Sequence, residues 1–453
     1  MIRIMWLEKI TPYYLFQRGL ASAHAIFDAR CIAKTRRKLQ NIKKNNNNDK
    51  AFINTAQKQL LVDVSIICQN DAQTGIQRVV RALVSQLLGN QAPDGYIVRT
   101  VAASRKSPYR IIDWPGQQAT VTAARKISIR PGDIFLGLDL CTRIVPAQQK
   151  QLAQWQRSGA SLNFMVYDLL PLQHPQWFTE KTVAYFQRWL RSLAVLADQI
   201  ICISPQVARD FNDYTIDRYR FPDHWIPIQT IPMGHDIASS QPSFGLPQDF
   251  EQTLEKIRQP NTILMVGTLE PRKGHEQVLS AFDHLWQSDK DYRLVIVGRP
   301  GWKTEALQER LKTHAELDQR LFWLDDASDE ALDLIYHACA GVLIASWAEG
   351  FGLPLIEALG YGRPVLARDL PVFHEQQNPN ITFFKTEKPI HLAHVVQDWI
   401  TKISEQNRMP PSVDSTSQKA WTDSSKALWE ALRKHTDKTS VPMPNTHELQ
   451  VAS

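Results

Sequence analysis

The sequence lacks most of the features that mark secreted or metal-binding proteins. Its 453 residues contain only five cysteines, Cys31, Cys68, Cys141, Cys202 and Cys339, and none of them forms a CxxC pair. Cysteines that are few, odd in number and scattered argue against a disulfide framework or a zinc site. Buried free thiols fit them better, and we therefore expect a cytoplasmic protein.

The patterns of several enzyme classes are also missing. The sequence has no HExxH, no Walker loop and no Gly-x-Ser-x-Gly, which excludes the zinc-protease, P-loop and serine-hydrolase chemistries that depend on them. Asp289-Lys290-Asp291 has an Asp-x-Asp spacing, but it lies between a predicted helix and a strand, at the wrong edge of the sheet for a ligand. We interpret it as a surface turn and predict no metal site.

The first 50 residues carry most of the positive charge. They hold eleven Lys and Arg against three acids, a surplus of eight, so the chain's net charge of +6 leaves −2 for the rest. A nearly neutral body gives no support to nucleic-acid binding. The leader has neither a run near the roughly 18 apolar residues of a membrane span nor a signal-peptide core. Two interpretations stay open: contact of residues 1–40 with an anionic membrane surface, as a peripheral protein on the cytoplasmic face, or a solvated helical extension.

The body alternates short apolar runs with helical patterns, which predicts parallel, doubly wound sheets. Strands are predicted at 60–68, 133–138, 161–166 and 199–203, and a second series begins at 263–267 after a stretch rich in Ser, Gln, Pro and Gly. The predicted segments are a basic leader with an Asn-rich linker (1–58), a first Rossmann-like domain for the acceptor (59–235), a linker (236–258), a second Rossmann-like domain for the donor (259–405), a closing helical segment (406–435) and a tail expected to be disordered (436–453).

The most informative stretch is GVLIASWAEGFGLPLIEALGYG, residues 341–362. Its apolar start predicts a buried strand, and Pro354 indicates that a helix begins near Leu353. The unpaired N–H groups and the dipole of a first helical turn bind anions, phosphate above all, and Gly350 and Gly352 would allow a close approach. We therefore predict a phosphate site at this turn.

Two carboxylates, Glu349 and Glu357, flank the predicted phosphate site. A carboxylate can accept two hydroxyl hydrogen bonds, as a ribose diol or a sugar ring would offer. Two other interpretations compete. Gly350-x-Gly352-x-x-Leu355 half-matches the dinucleotide fingerprint of oxidoreductases, although the third glycine is absent. The stretch also fits an ordinary strand-to-helix turn with surface glutamates.

The pair Glu349-x7-Glu357, within EGFGLPLIEA, resembles the Glu-x7-Glu signature of family 4 of the retaining glycosyltransferases. The resemblance covers about residues 60–435. ILMVGTLEPRKG resembles the relatives' G-x-L-x-x-RKG, and KAWTDSSKALWEALRK resembles their closing helix, which typically braces the first domain. The resemblance implies the α/β GT-B fold, two doubly wound Rossmann-like domains facing a central cleft, and a hexosyltransferase similar to bacterial polysaccharide mannosyl- and rhamnosyl-type transferases.

The resemblance also implies roles for individual residues. Glu349 would hold the hydroxyls of the transferred sugar, and Glu357 the ribose diol. Arg272 and Lys273 would face the diphosphate, which two adjacent cations suit. The candidate catalytic residues are Glu349, Arg272, Lys273 and Asp168, and the candidate donor-binding residues are Gly75, Glu357, Phe351, Gly352, Leu353, Leu324, Asp326 and Gly267.

The sequence departs from the family pattern at two places. Thr74-Gly75 stands where relatives usually have two glycines, so close backbone approach is assured only at Gly75. Tyr167 replaces a histidine in MVYDLLPLQHP, which resembles the relatives' HDLIPL-like turn, and Asp168 becomes the better polar candidate. On the helix after Gly75, Arg78 and Arg81 would face phosphate or acceptor, or else solvent.

The turn at residues 324–328 suggests the nucleotide. Guanine offers an N1–H and an N2–H₂ that a carboxylate can accept together, and Asp326 matches a guanine-reading aspartate of mannosyl-transferring relatives. The alternative is that Asp325 and Asp326 only precede and cap the helix that Ser328 opens, and many UDP-using relatives also have an acid here. We predict a GDP-sugar, mannose-like, transferred to a growing surface polysaccharide or a lipid-linked glycan, without metal or redox cofactor. A UDP-sugar donor and a non-catalytic sugar-nucleotide-binding protein are the alternatives, and front-face and double-displacement routes to retention stay open.

Overall fold

A computed structural model describes residues 29–41, 57–89, 95–115, 126–287, 291–406 and 419–437. Two α/β domains are built on separate sheets, of seven and six strands. Three predicted features fall mainly or wholly outside the described residues: most of the basic leader with its Asn-rich linker, the first two residues of Asp289-Lys290-Asp291, and the tail from residue 438 onward.

The first domain is a seven-stranded sheet whose strand order is β3-β2-β1-β4-β5-β6-β7. All neighbouring pairs are parallel except β2 and β3, which pair antiparallel at one edge. Its strands are β1 (Lys58–Asp63), β2 (Tyr96–Ala102), β3 (Arg110–Ile111), β4 (Ile134–Gly137), β5 (Ser161–Val166), β6 (Gln199–Cys202) and β7 (Ile228–Thr230). Its helices are α1 (29–41), α2 (Gly75–Gly89), α3 (Gln149–Arg157), α4 (Leu170–Gln173), α5 (Glu180–Leu196) and α6 (Pro205–Tyr219).

The second domain is an all-parallel sheet with the order β10-β9-β8-β11-β12-β13, the order of a dinucleotide-binding fold. Its strands are β8 (Thr262–Val266), β9 (Arg293–Val297), β10 (Leu321–Leu324), β11 (Gly341–Ile344), β12 (Val365–Arg368) and β13 (Ile381–Phe384). Its helices are α7 (Phe250–Ile257), α8 (His275–Trp286), α9 (Glu305–Lys312), α10 (Asp329–Ala338), α11 (Leu353–Gly360), α12 (Pro371–His374) and α13 (Pro389–Gln406). The last helix, α14 (Trp421–Asp437), returns to the first domain.

Most of the predicted strands are found within a residue or two of their expected positions. The exception is the strand predicted at 60–68, which ends at Asp63 and is followed by a turn. Polar groups cause this early end: Ser65 donates to the Asp63 carboxylate, and the backbone N–H groups of Ile66 and Ile67 donate to Asp139 Oδ2 at 2.7 and 2.8 Å. A carboxylate that captures backbone donors in this way competes with the sheet ladder.

Both ends of the described chain pack on the first domain. In α1, Arg36 is 1% exposed, and its guanidinium donates to the carbonyls of Ala194 and Ala197 at the end of α5. In α14, Trp421 is 1% exposed, and Trp429 makes an edge contact with Tyr96 at 5.0 Å. The closing helix therefore braces the first domain, as the resemblance implied. Among the described residues, no helix is both long and apolar enough to cross a membrane.

The carboxyl ends of the two sets of strands meet across a cleft. Ser204, which follows β6, donates its hydroxyl to the backbone oxygen of Gly350, which follows β11, at 2.7 Å. Ligands of open α/β sheets bind outside the carboxyl ends of the strands, next to the point where the strand order reverses. In the second domain that point lies between β8 and β11, the two strands that precede the predicted site residues Arg272, Lys273 and Glu349.

Candidate active site

The loop from β11 to α11 lies directly against the first domain. A Cβ added to Gly350 would lie 2.2 Å from the backbone oxygen of Tyr167, and one added to Gly352 would lie 2.5 Å from the ring of Phe373. Gly352 also has φ of 94°, a left-handed conformation that favours glycine. We predicted that these two glycines would allow a phosphate to approach the backbone. In the structure, the space left by their missing side chains is filled by other parts of the protein.

The N-terminus of α11 is the predicted phosphate site. The helix begins at Leu353 with Pro354 in its first turn, and no side chain caps it, so its dipole and first N–H groups are presented without a competing side-chain acceptor. Gly75, at the start of α2, faces this end of the helix, because its missing Cβ would lie 3.4 Å from Leu353 Cδ1. Phe351, just ahead, is buried. The structure thus brings Gly75 and the turn at 351–353 together from separate domains.

Glu349 is held between two cations of its own domain. Arg272 Nη1 donates to Glu349 Oε2 at 2.9 Å, and Lys273 Nζ donates to Oε1, which also accepts the Ser346 hydroxyl at 2.7 Å. Burial alone would raise the pKa of Glu349, but Lys273 and Arg272 outweigh it and hold the pKa at about 2. The carboxylate is therefore ionised at any physiological pH.

Arg272 is itself fixed from two other sides. Its Nε donates to Glu270 Oε2 at 2.8 Å, and its backbone oxygen accepts from Trp347 N at 2.7 Å. A guanidinium with several fixed hydrogen bonds is preorganised and needs little rearrangement to face a ligand anion. Next to this pair of cations, burial together with Lys273 and Arg272 lowers the pKa of His275 to about 3, so that this histidine is neutral.

Asp168 follows β5 of the first domain and faces the Glu349 cluster across the cleft. A Cβ on Gly350 would lie 3.0 Å from Asp168 Cβ, and Asp168 Oδ1 accepts from Leu170 N at 3.2 Å. Desolvation raises the pKa of Asp168 to about 6, with Arg272 opposing the shift and Glu349 reinforcing it. This group therefore changes charge just below neutral pH, in the range where a catalytic carboxyl is useful.

Glu357 is only 1% exposed, and both of its oxygens have partners. Tyr336 donates its hydroxyl to Oε2 at 2.9 Å, and Arg78 of α2 forms an ion pair with Oε1. Arg78 also pairs with Asp329, the first residue of α10. Burial would lower the pKa of Arg78, but the two carboxylates reverse the shift and raise it. An arginine of the first domain thus bridges two acids of the second.

The other predicted donor residues lie at the same edge of the second sheet. Gly267 follows β8 with φ of 141°, and its missing Cβ would lie 3.5 Å from Lys273 Cε. Leu324 ends β10 and is half-buried, whereas Asp326 in the following turn is exposed. Because β9 and β8 separate β10 from β11, three strand spacings, or about 14 Å, lie between this turn and the phosphate site. Ser328 caps α10, accepting from Ala331 N at 3.1 Å.

A second set of contacts joins the two domains. Trp302 Nε1 donates to the backbone oxygen of Trp177 at 2.7 Å, and Lys303 Nζ donates to the backbone oxygens of Gln176 and Phe178, both at 2.8 Å. The loop after β9 is thereby joined to the segment after α4. These contacts and the Arg78 pairs therefore join the domains at two separate places.

Sequence reasoning missed several participants. It left Arg78 between phosphate, acceptor and solvent, and it did not identify Tyr336, Ser346 or Asp329 as partners of the site residues. Ser346 lies three residues before Glu349 and could have been found from that spacing. The others depend on the packing of distant segments, and no local pattern reveals them.

No metal centre is evident in the described part of the chain. Over residues 29–41, 57–89, 95–115, 126–287, 291–406 and 419–437, no group of three or more His, Cys, Asp or Glu is arranged to hold a metal ion. The positive charge at the site comes from Arg272, Lys273 and the end of α11.

Comparison with known proteins supports the similarity of the site to that of glycosyltransferases. A family model described as glycosyl transferases group 1 matches residues 248–412, the segment that contains Arg272, Lys273, Glu349 and Glu357. This segment is a group 1 glycosyl transferase domain. The serotype-specific mannosyltransferase WbdA of Escherichia coli is 37% identical over 387 residues, which cover 83% of this chain and 45% of WbdA. O-antigen chain mannosyltransferase B of Escherichia coli is 26% identical over 208 residues, which cover 45% of this chain and 52% of that protein. The chain spans about half the length of the relatives it matches.

Solved structures establish the fold. HepE of Anabaena, crystallised with UDP and glucose, superposes with a TM-score of 0.55 at 16% identity, covering 83% of this chain and all of HepE. Sucrose-phosphate synthase of Thermosynechococcus elongatus gives 0.51 at 17% identity, covering 84% and 97%. The group 1 glycosyl transferase domain thus forms one half of a GT-B fold. The fold and the similarity to bacterial polysaccharide mannosyltransferases, both predicted from the sequence, are confirmed.

Proposed function

We propose that this protein is a retaining glycosyltransferase of family 4 that moves a mannose-like hexose from a GDP-sugar to a surface polysaccharide or a lipid-linked glycan. The observation that carries the proposal is the cluster in which Arg272, Lys273 and Glu349 meet beside the N-terminus of α11. Cleavage of the bond between sugar and phosphate leaves negative charge on the β-phosphate. Cations and a helix dipole fixed at that position stabilise the transition state more than the ground state.

In this proposal the donor lies along the carboxyl edge of the second sheet. Its diphosphate would lie at residues 351–353 with Arg272 and Lys273, its ribose at Glu357, its base near Leu324 and Asp326, and its sugar at Glu349. Asp168 would contact the sugar or the acceptor from the first domain. Because residues of the protein supply the positive charge, we expect transfer without a metal ion and without a redox cofactor.

Two alternatives remain within the same site. HepE was crystallised with UDP, and a UDP-sugar would use the same cations, with Asp326 free of any role in reading the base. A non-catalytic sugar-nucleotide-binding protein would bind the donor and release no sugar. The cluster of Arg272, Lys273 and Glu349 favours an enzyme, because binding alone has no need for a carboxylate between the two cations.

One experiment tests the proposal directly. The purified protein is incubated with GDP-mannose or with UDP-glucose, with and without a mannan acceptor and with excess EDTA, and nucleotide release is measured. We expect GDP release that depends on the acceptor and is insensitive to EDTA, and product NMR should show the anomeric configuration of the donor. Release of UDP alone would show that the donor is a UDP-sugar. Binding of a nucleotide sugar without release of any nucleotide would support the non-catalytic alternative.

We also propose a peripheral location on the cytoplasmic face of the membrane. The described part of the leader supports it, because α1 buries Ile32 and Arg36 against the first domain and exposes Arg30, Lys34 and Lys38 at i, i+4 and i+8. Each base near an anionic surface adds about 1 kcal/mol. Sedimentation with anionic vesicles should fall when these three exposed residues are changed to Gln. Unchanged sedimentation of the triple variant would favour the solvated extension.

A further inference from the structure

Arg78 lies at the meeting point of the two domains and of two buried acids. Its side chain is 12% exposed, and its Nη1 and Nη2 pair with Glu357 and Asp329, whose side chains are 2% and 5% exposed. The second oxygen of Glu357 accepts from Tyr336. Both oxygens of the carboxylate assigned to the ribose therefore already have partners within the protein.

Arg78 and a ribose could use the same acceptor atom of Glu357. A guanidinium and a ribose diol both present hydrogen-bond donors to a carboxylate oxygen. Because the side chains of Arg78 and Glu357 are only 12% and 2% exposed, a ribose hydroxyl that approaches Glu357 Oε1 has to take space that Arg78 now fills. We propose that Arg78 stands in for the ribose in the free protein, and that the 2′,3′-diol of the donor replaces it. This inference rests on the proposed function, because it takes Glu357 to be the ribose ligand.

The surroundings of Asp329 make such an exchange feasible. Leaving a buried charge without any partner is costly, but Arg78 needs to give up only one of its two pairs. Asp329 is held in place by Ser243, whose N and Oγ donate to Oδ2 at 2.9 and 3.1 Å. Arg78 can therefore remain paired with Asp329 while Nη1 leaves Glu357.

This exchange makes Arg78 a specificity-determining residue. A nucleotide with both ribose hydroxyls regains at Glu357 the hydrogen bond that Arg78 loses. A nucleotide without them has nothing to offer Glu357, so it gains no affinity when Arg78 is absent. The affinity ratio between GDP and 2′,3′-dideoxy-GDP is therefore the quantity that Arg78 controls.

Calorimetry with the full chain tests this inference. In Arg78→Gln, GDP should bind about fivefold to tenfold more tightly, as expected when one net hydrogen bond no longer has to be displaced, and 2′,3′-dideoxy-GDP should bind as it does to the wild type. Arg81→Gln is the matched control, since Arg81 lies one turn further along α2 and pairs mainly with Asp71, at 2.6 Å. It should leave the affinity ratio unchanged.

The possible failures are distinct. If the wild type binds neither GDP nor UDP, the proposed function fails. If UDP binds better than GDP, the comparison is repeated with UDP and 2′,3′-dideoxy-UDP. If the wild type binds GDP and the affinity ratio is the same or lower in Arg78→Gln, only the role of Arg78 is overturned. If Arg78→Gln does not fold, Arg78→Lys replaces it, because a lysine keeps the positive charge but can pair with only one of the two acids at a time. An affinity ratio between GDP and 2′,3′-dideoxy-GDP that does not rise in Arg78→Lys also overturns the inference.

Discussion

The two glutamates on either side of α11 are neutralised in different ways. Glu349 is paired with Arg272 and Lys273, which belong to its own domain. Glu357 is paired with Arg78, which belongs to the other domain. The first half of the site is therefore complete as soon as the second domain folds, whereas the second half depends on how the domains meet. Variants on the two sides should fail in different ways.

The largest effect is expected for Glu349→Gln. Glutamine keeps the size of the side chain but removes the charge assigned to the sugar, so transfer should fall about 100-fold to 1,000-fold, the range for loss of one preorganised polar group. GDP affinity should stay within about threefold, because both cations remain available to the diphosphate. Initial rates and calorimetry measure the two effects. Glu270→Gln, which removes the other carboxylate on Arg272, is the control, and a large loss of GDP affinity in Glu349→Gln would contradict the assignment.

Arg272→Gln should come next. Losing a charge-assisted hydrogen bond to phosphate costs about 1.5–3 kcal/mol, which corresponds to GDP binding that is weaker by about 10-fold to 100-fold. Guanosine, which has no phosphate, should bind equally to the variant and the wild type. Arg310→Gln, an arginine of α9 that pairs with Glu276 and Asp283, serves as the control. Equal losses for GDP and guanosine would mean that Arg272 supports the fold and does not contact the diphosphate.

At the glutamate that is paired across the domains, Glu357→Gln should weaken GDP binding about tenfold, or about 1.4 kcal/mol. The maximal rate at saturating donor should change little, because the ribose is remote from the reacting bond. Tyr336→Phe removes only the hydroxyl that donates to Glu357 Oε2 and should have a smaller effect in the same direction. Calorimetry decides this prediction, and identical GDP affinities in Glu357→Gln and the wild type would refute it.

The smallest effect concerns pH. Because the pKa of Asp168 is raised to about 6, its carboxylate is neutral at pH 5 and charged at pH 7. The charged form suits a sugar that develops positive charge, so the rate should rise several-fold over this interval, and Asp168→Asn should remove the rise. A raised carboxyl pKa also means that folding loses stability as pH rises from about 4 to 6, so Asp168→Asn should be at least as heat-stable as the wild type at pH 8. A wild-type inflection near 6 that persists in Asp168→Asn would assign it to another group.

The local sequence pattern was enough to predict the strands and helices around the site, but it did not predict the contacts between the domains. The strand β11 and the start of α11 at Leu353 follow from an apolar run, two glycines and Pro354, all within a few residues. That Arg272, Lys273 and Glu349 meet follows from the rule that parallel strands end at one edge. The pairing of Arg78 with Glu357 joins residues 279 positions apart and depends on how the two domains meet, which no short segment encodes.

The return of α14 to the first domain has a mechanical consequence. The chain passes between the domains twice, once after residue 236 and once before residue 421, and the two passages lie side by side: His235 N donates to the backbone oxygen of Lys419 at 3.2 Å, and Trp421 Nε1 donates to that of Asp236 at 2.9 Å. Two hydrogen-bonded passages at one place would act as a hinge if the domains rotate. We expect any opening of the cleft to be a rotation about this place, so a cross-link between residues 236 and 419 should leave that rotation free.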